Sequence, residues 1–315
     1  MHPSLQPFEA GLLGRPDGVQ LYWEVSGKPL GQPALYLHGG PGGGLGAGGY
    51  RQRFDPSHYL IVGVDQRGCG RSRPWAIDDL DHLDSNNTQT LIEDLEALRE
   101  HLGIGSWLLH GVSWGSTLAL AYAMAHPDRV TGLVLVAVTT GSRQEIDWIT
   151  EGVGAVFPKA WSAFTADVAA GERVVEHYAR LLRHRDPAVR EAAADRWDHW
   201  ESIHVSLDPA WIPGAHRSEA RDRQNFATLV THYWAHDCFL TNAAEIIPHV
   251  AVLNGIPGVL IHGRRDISGP AITPWRLHAN WNTSQLRIVE HEGHGGPDQM
   301  NLATQAISDL ALPTE

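Results

Sequence analysis

Residues 106–126 constrain this chain more than any other stretch. Residues 106–110 (SWLLH) form a short apolar run. Gly111-Val112-Ser113-Trp114-Gly115 follows, and residues 116–126, rich in Ala and Leu, read as a helix stopped by Pro127. A buried strand, a glycine-flanked serine and a helix in direct succession force a sharp turn at Ser113. Gly111 and Gly115 have no Cβ, so neighbouring backbone can approach the turn. The turn strains the Ser113 backbone and exposes its hydroxyl. The helix N-terminus then points amide N–H groups and partial positive charge at a developing oxyanion. Gly-x-Ser-x-Gly alone is common; its setting between strand and helix makes Ser113 a candidate nucleophile.

The rest of the chain repeats this rhythm. Strands are expected at residues 19–25, 34–37, 59–64, 133–138, 258–262 and 285–290. Leu91, Leu95, Leu98 and Leu102 fall on one helical face, and a last helix is expected at about 298–310. Short, continuously apolar strands alternating with helices predict an α/β fold, a mostly parallel sheet with helices on both faces. Residues 141–250 break the pattern. They read as helices at 173–183, 188–202 and 218–236, punctuated by Pro158, Pro187, Pro209 and Pro213. The expected organisation is a core from 1–140, an inserted all-helical cap at 141–250 and the second part of the core at 251–315. A chain of 315 residues can bury such a core without a disulfide or metal staple.

A serine hydroxyl needs a base, and histidine supplies one near neutral pH. In α/β-hydrolases the order is serine, acid, histidine. Asp266 follows strand 258–262 and His294 follows strand 285–290, where a parallel sheet gathers its active site at the carboxyl ends of strands. The rivals are His262 and His291 for the base and Glu290 and Glu292 for the acid; His262 ends an apolar run and suits a hydrogen-bonded core position. His38-Gly39-Gly40-Pro41-Gly42 opens a Gly-rich loop after an early strand. It has the form of an oxyanion loop, so the expected donors are the Gly40 and Trp114 N–H groups.

Composition closes several other routes. Lys plus Arg is 24 and Asp plus Glu is 36, a net charge of −12. That disfavours nucleic acid and anionic lipid as partners. Two distant cysteines, Cys69 and Cys238, are no disulfide framework and suit a cytoplasmic protein. Residues 1–14 lack the charged and apolar regions of a secretion signal. No run of 18 apolar residues exists, so no membrane span is expected. There is no His-Glu-x-x-His and no compact ligand cluster, so no metal is expected; no Lys follows the Gly-rich loop as a phosphate cradle requires.

HGGPGGG at 38–44, DQRGCGRS at 65–72, GVSWGSTLALAYAMAHPDRV at 111–130, GRRDISGP at 263–270 and EGHGG at 292–296 together resemble prolyl aminopeptidases, also called proline iminopeptidases. The resemblance implies an α/β-hydrolase fold with a helical cap, a triad of Ser113, Asp266 and His294, no cofactor, and release of an N-terminal proline from a small peptide. Trp197-Asp198-His199-Trp200-Glu201 resembles a family segment whose glutamate holds the substrate's α-amine, which implies that role for Glu201. Several positions depart from the family, and residues 136–139 (VAVT) also lack the arginine usual in that segment. Val230 stands where a second acid is usual, Thr139 where an aromatic lines the proline pocket, and Ile149 or Thr150 where a tyrosine or phenylalanine is usual. The expected function is therefore an aminopeptidase acting on N-terminal proline or another small residue. The alternative is a cap-gated amide or ester hydrolase of a specialised small molecule. A non-catalytic ligand-binding relative is the reading from another class, and an intact triad opposes it. Six of the 12 Trp (148, 161, 197, 200, 211 and 234) fall in the inserted segment; most are expected to pack helices, with Trp234 and Trp200 the first candidates to line the pocket.

Overall fold

Runs of branched aliphatic residues become strands that are buried on both faces. In the computed structural model, which describes residues 1–205, 207 and 219–311, eight strands form one sheet. They are β1 (Glu9–Gly14), β2 (Gln20–Gly27), β3 (Gln32–Leu37), β4 (Tyr59–Val64), β5 (Trp107–Val112), β6 (Val130–Val136), β7 (Gly258–Gly263) and β8 (Ser284–Val289). Their order is β1-β2-β4-β3-β5-β6-β7-β8. β2 runs antiparallel to β1 and β4, and every other pair is parallel.

Successive residues of a strand face opposite sides, and here both sides are apolar. Leu35, Leu37, Leu109, Leu133 and Leu135 enter one core; Ala34, Leu108, Val134, Val136 and Ile261 enter the other. The first core takes Leu91, Leu95 and Leu98 from α1 (Thr88–His101) and much of α2 (Trp114–Ala125).

From β6 to β7 the described chain is helical: α3 (Arg143–Thr150), α4 (Pro158–Phe164), α5 (Val174–Leu182), α6 (Pro187–His204), α7 (Ala220–Ala235) and α8 (Ile246–His249), with short 3-10 turns. Start signals place them. Ser142 and Glu145 form a reciprocal capping box at α3, and Asp186 caps α6 ahead of Pro187. The expected helix from 218 begins at Ala220; Trp211, Pro209, Pro213 and Ser218 lie outside the described residues. The chain then returns through α9 (Ile272–Asn280) and α10 (Pro297–Asp309), which sends Ala303, Ala306 and Ile307 into the second core.

Three expectations need correction. β1 was not anticipated, because EAGLLG has no clear alternation; it is an edge strand held by pairing with β2 and largely open to solvent. β6 ends at Val136 rather than 138, because Ala137 turns to φ 49° and cannot continue a strand. α2 starts at Trp114, two residues before the expected 116, directly behind Ser113.

The inserted helices pack around aromatic rings. Phe164 stacks on Tyr178 at 4.4 Å and on Trp200 at 5.1 Å, and Trp197 meets Phe164 at 5.7 Å and Tyr178 at 5.5 Å. Trp197 is fully buried. Its replacement in Trp197→Ala is expected to cost about 3–5 kcal/mol by leaving a cavity, read as a lowered urea midpoint in circular dichroism.

Candidate active site

Five parallel strands end on one side of the sheet, and the loops that leave them carry Gly40 (after β3), Ser113 (β5), Thr139 (β6), Asp266 (β7) and His294 (β8). Ser113 has φ 56° and ψ −124°, a conformation non-glycine residues rarely hold. The neighbours leave no alternative. A Cβ on Gly111 would sit 2.2 Å from the Gly115 carbonyl oxygen, and one on Gly115 would sit 2.1 Å from that of Leu37. The Ser113 N–H donates to the Val136 carbonyl at 2.9 Å, and the Ser116 hydroxyl donates to the Ser113 carbonyl at 2.6 Å. Both ends of the turn are thus fixed, and the side chain projects between loops.

Ser113 Oγ lies 2.9 Å from His294 Nε2, and His294 Nδ1 lies 2.7 Å from Asp266 Oδ2. Asp266 is buried, and its other oxygen accepts from the Ser268 hydroxyl at 3.0 Å and the Gly269 N–H at 2.8 Å. Burial alone would push the Asp266 carboxyl up, but the charge and hydrogen bond of His294, the nearby His262 and the Gly269 N–H bring it below the usual aspartate value. Burial likewise pushes His294 down, yet the Asp266 charge and hydrogen bond, helped by Glu201, leave it above the ordinary histidine value. With Asp266 ionised, Nδ1 carries the proton and Nε2 is the acceptor facing Ser113.

The rivals are occupied elsewhere. His262 is wholly buried, accepts from the Val138 N–H at 3.0 Å and donates to the Gly269 carbonyl at 2.5 Å, so it braces the acid loop. Glu290 pairs with Arg264 at the surface. His291, Glu292 and Asp298 bring ligating atoms within 4.8 Å of one another. Glu292, however, already accepts the N–H groups of Asp298 and Gln299 at 2.7 and 2.9 Å, at the start of α10.

The loop after β3 is tied to the loop after β4. Gln66 donates its backbone N–H to His38 Nε2 and its side-chain amide to the His38 carbonyl, each at 3.0 Å, and accepts from the Trp114 indole at 2.8 Å. Among the described residues no backbone hydrogen bond engages the Gly40 or Trp114 N–H, and both residues border the same cavity as Ser113.

That cavity holds about 70 Å³. His294, Glu201, Trp234 and Thr139 also border it. Thr139 is not open to a ligand in the simple sense: its hydroxyl donates to the Ser113 carbonyl at 3.1 Å and lies 2.8 Å from Thr117 Oγ1. Trp200 is a correction. It does not border the cavity: about a hundred degrees around α6 from Glu201, it stacks on Phe164 and donates to the Ile149 carbonyl at 3.3 Å. Val230 is entirely buried in the apolar core. Of the two candidates for the missing aromatic, Ile149 borders the cavity, while Thr150 turns inward to the Ile146 carbonyl. Residue-by-residue reading missed Gln66, Ser268 and His204. Only His204 carried a usable signal, three residues after Glu201 and therefore on the same face of a helix.

Because the Glu201 charge helps to hold a proton on His294, Glu201→Gln is expected to move the acidic limb of the kcat/KM–pH profile to lower pH. An unmoved or raised limb, measured with a chromogenic substrate from pH 5 to 9, contradicts this assignment.

Residues 33–298 match the family model described as the alpha/beta hydrolase fold. The chain is 42% identical to a "Probable proline iminopeptidase" of Streptomyces coelicolor, covering 98% of this chain and 97% of that protein. It is 38% identical to the proline iminopeptidase of Neisseria meningitidis serogroup A, covering 98% of each. Among solved structures, a bromoperoxidase from Bacillus anthracis superposes with a TM-score of 0.64 at 17% identity, over 96% of this chain and 99% of that one, a likeness of fold alone. No described helix is long and apolar enough to cross a membrane. Fold, motif order and full-length similarity converge: the chain belongs to the proline iminopeptidase family of α/β hydrolases.

Proposed function

We propose that this protein is a serine aminopeptidase that removes proline, or another small residue, from the N-terminus of a small peptide, with the helices at about 141–250 acting as a cap over the site. The observation that carries this reading is the chain of 2.9 and 2.7 Å contacts from Ser113 through His294 to Asp266, opening on a cavity of about 70 Å³ that Glu201 borders. A small cavity suits a small acyl group, and a carboxylate at its wall suits a protonated amine. The similarity to named proline iminopeptidases supports the same substrate class.

The mechanism follows from the geometry. His294 Nε2 takes the Ser113 proton as Oγ attacks the carbonyl carbon, and the new oxyanion receives the N–H groups of Gly40 and Trp114. Collapse breaks the C–N bond while His294 returns the proton to the leaving amine. Water then gives its proton to His294, attacks the acyl-enzyme and releases the free amino acid and the Ser113 hydroxyl. Asp266 holds the Nδ1–H tautomer and stabilises the imidazolium, as in the serine triad. No cofactor enters these steps. The buried free thiols of Cys69 and Cys238 fit a reducing, cytoplasmic setting.

One observation favours the other reading, an amide or ester hydrolase of a specialised small molecule: Val230 offers no charge to an amine. A panel of aminoacyl p-nitroanilides, each free and N-acetylated, separates the two. The aminopeptidase reading expects prolyl or another small residue to be best and acetylation to lower kcat/KM by roughly 100-fold or more, since a site built around a charged partner rejects its absence strongly. Indifference to acetylation overturns it in favour of the second reading.

A further inference from the structure

His204 sits on the last turn of α6, three residues after Glu201, and both border the Ser113 cavity. Its side chain is almost completely buried, and its Nδ1 meets no hydrogen-bond partner among the described residues. A buried ring nitrogen without a partner is costly, and here the residue that carries it borders a cavity in which a ligand can complete the bonding. The ring is held against Trp200 at 5.1 Å, so packing fixes where it can point.

The reading above places a protonated amine in this cavity. A prolyl ammonium carries two N–H groups, and both need acceptors once water is excluded. Glu201 can take one. Several other side chains at the wall are turned to partners within the protein. The Glu145 carboxylate accepts from the Thr140 N–H and hydroxyl and from the Ser142 N–H and hydroxyl. The Thr139 hydroxyl donates to the Ser113 carbonyl, and Ser268 donates to Asp266. Ser113 and His294 are the reacting pair. We infer that the imidazole of His204 is the second acceptor for the substrate's α-amine, so that this chain grips the amine with one carboxylate and one neutral imidazole. Burial, and then the charge of His294, holds the His204 pKa down at about 3, so the ring keeps its lone pair and does not repel a cation at working pH. The inference rests on the aminopeptidase reading and deepens it.

The test pairs two substrates with two variants. The substrates are prolyl p-nitroanilide and the p-nitrophenyl ester of cyclopentanecarboxylic acid, whose ring matches proline but lacks the nitrogen. His204→Phe keeps an aromatic ring against Trp200 and removes the acceptor; His204→Gln keeps an acceptor. For His204→Phe, kcat/KM on the prolyl substrate is expected to fall roughly 10- to 100-fold, mainly through KM, and the ester rate to stay within about twofold. His204→Gln is expected to recover most of the loss. No loss on the prolyl substrate, or an equal loss on both, overturns the assignment. Should His204→Phe fail to fold, the wild-type enzyme still decides: with 15N-labelled histidine, the His204 Nδ1 resonance moves on saturation with L-proline and not with cyclopentanecarboxylate, and an unmoved resonance overturns the assignment. A wild-type enzyme indifferent to N-acetylation would sink the aminopeptidase reading itself, whereas equal losses in His204→Phe beside an intact amine requirement sink only the role of His204.

Discussion

Ser113 is held at φ 56° where β5 turns into α2, and the site is arranged around that one strained residue. A conformation of this kind costs of order 1–3 kcal/mol. It persists because β5 is buried between β3 and β6 and because Gly111 and Gly115 let backbone from Leu37 and Gly115 close in where any side chain would collide. The same crowding brings the β3 loop, with Gly40, alongside Ser113: a Cβ on Gly39 would sit 3.3 Å from that of Ser113. One packing constraint therefore sets Ser113, the amide of Trp114 behind it and the loop in front.

The other components come from the far half of the chain, carried there by sheet order. β7 and β8 lie beside β6, so residues more than 150 positions from Ser113 arrive within hydrogen-bond reach. The inserted helices are fastened to both halves. The Trp148 indole donates to the Ile267 carbonyl at 2.7 Å, next to Asp266, and the Tyr233 hydroxyl donates to Asn86 at 2.6 Å. The loop that carries Asp266 is thus braced from below by His262 and from the side by the insertion, while His294, His262 and the Gly269 N–H offset burial and keep Asp266 ionised.

Much of this was legible in the sequence, because continuous apolar runs and glycine-bounded loops reflect local physics. The strand–serine–helix succession at 106–126 and the loops ending in Asp266 and His294 could be read directly. What escaped depends on tertiary context. β1 exists only because β2 pairs with it. Trp200 and Glu201 are adjacent in sequence but differ by a hundred degrees around α6, so one enters an aromatic core and the other the cavity. Gln66 and Ser268 act through bonds to loops remote in sequence or to a neighbouring carboxylate, and neither belongs to a pattern that spacing reveals. The proposed part of His204 rests on a ring nitrogen that no neighbouring group of the described residues satisfies, which spacing along the chain does not show.

The central claim is that Ser113, activated by His294, is the nucleophile. The most direct measurement is the turnover of prolyl p-nitroanilide by Ser113→Ala, with folding checked by circular dichroism. A fall in kcat of roughly 10⁴-fold or more with an unchanged spectrum is expected. Near wild-type turnover by a folded Ser113→Ala protein would contradict the claim.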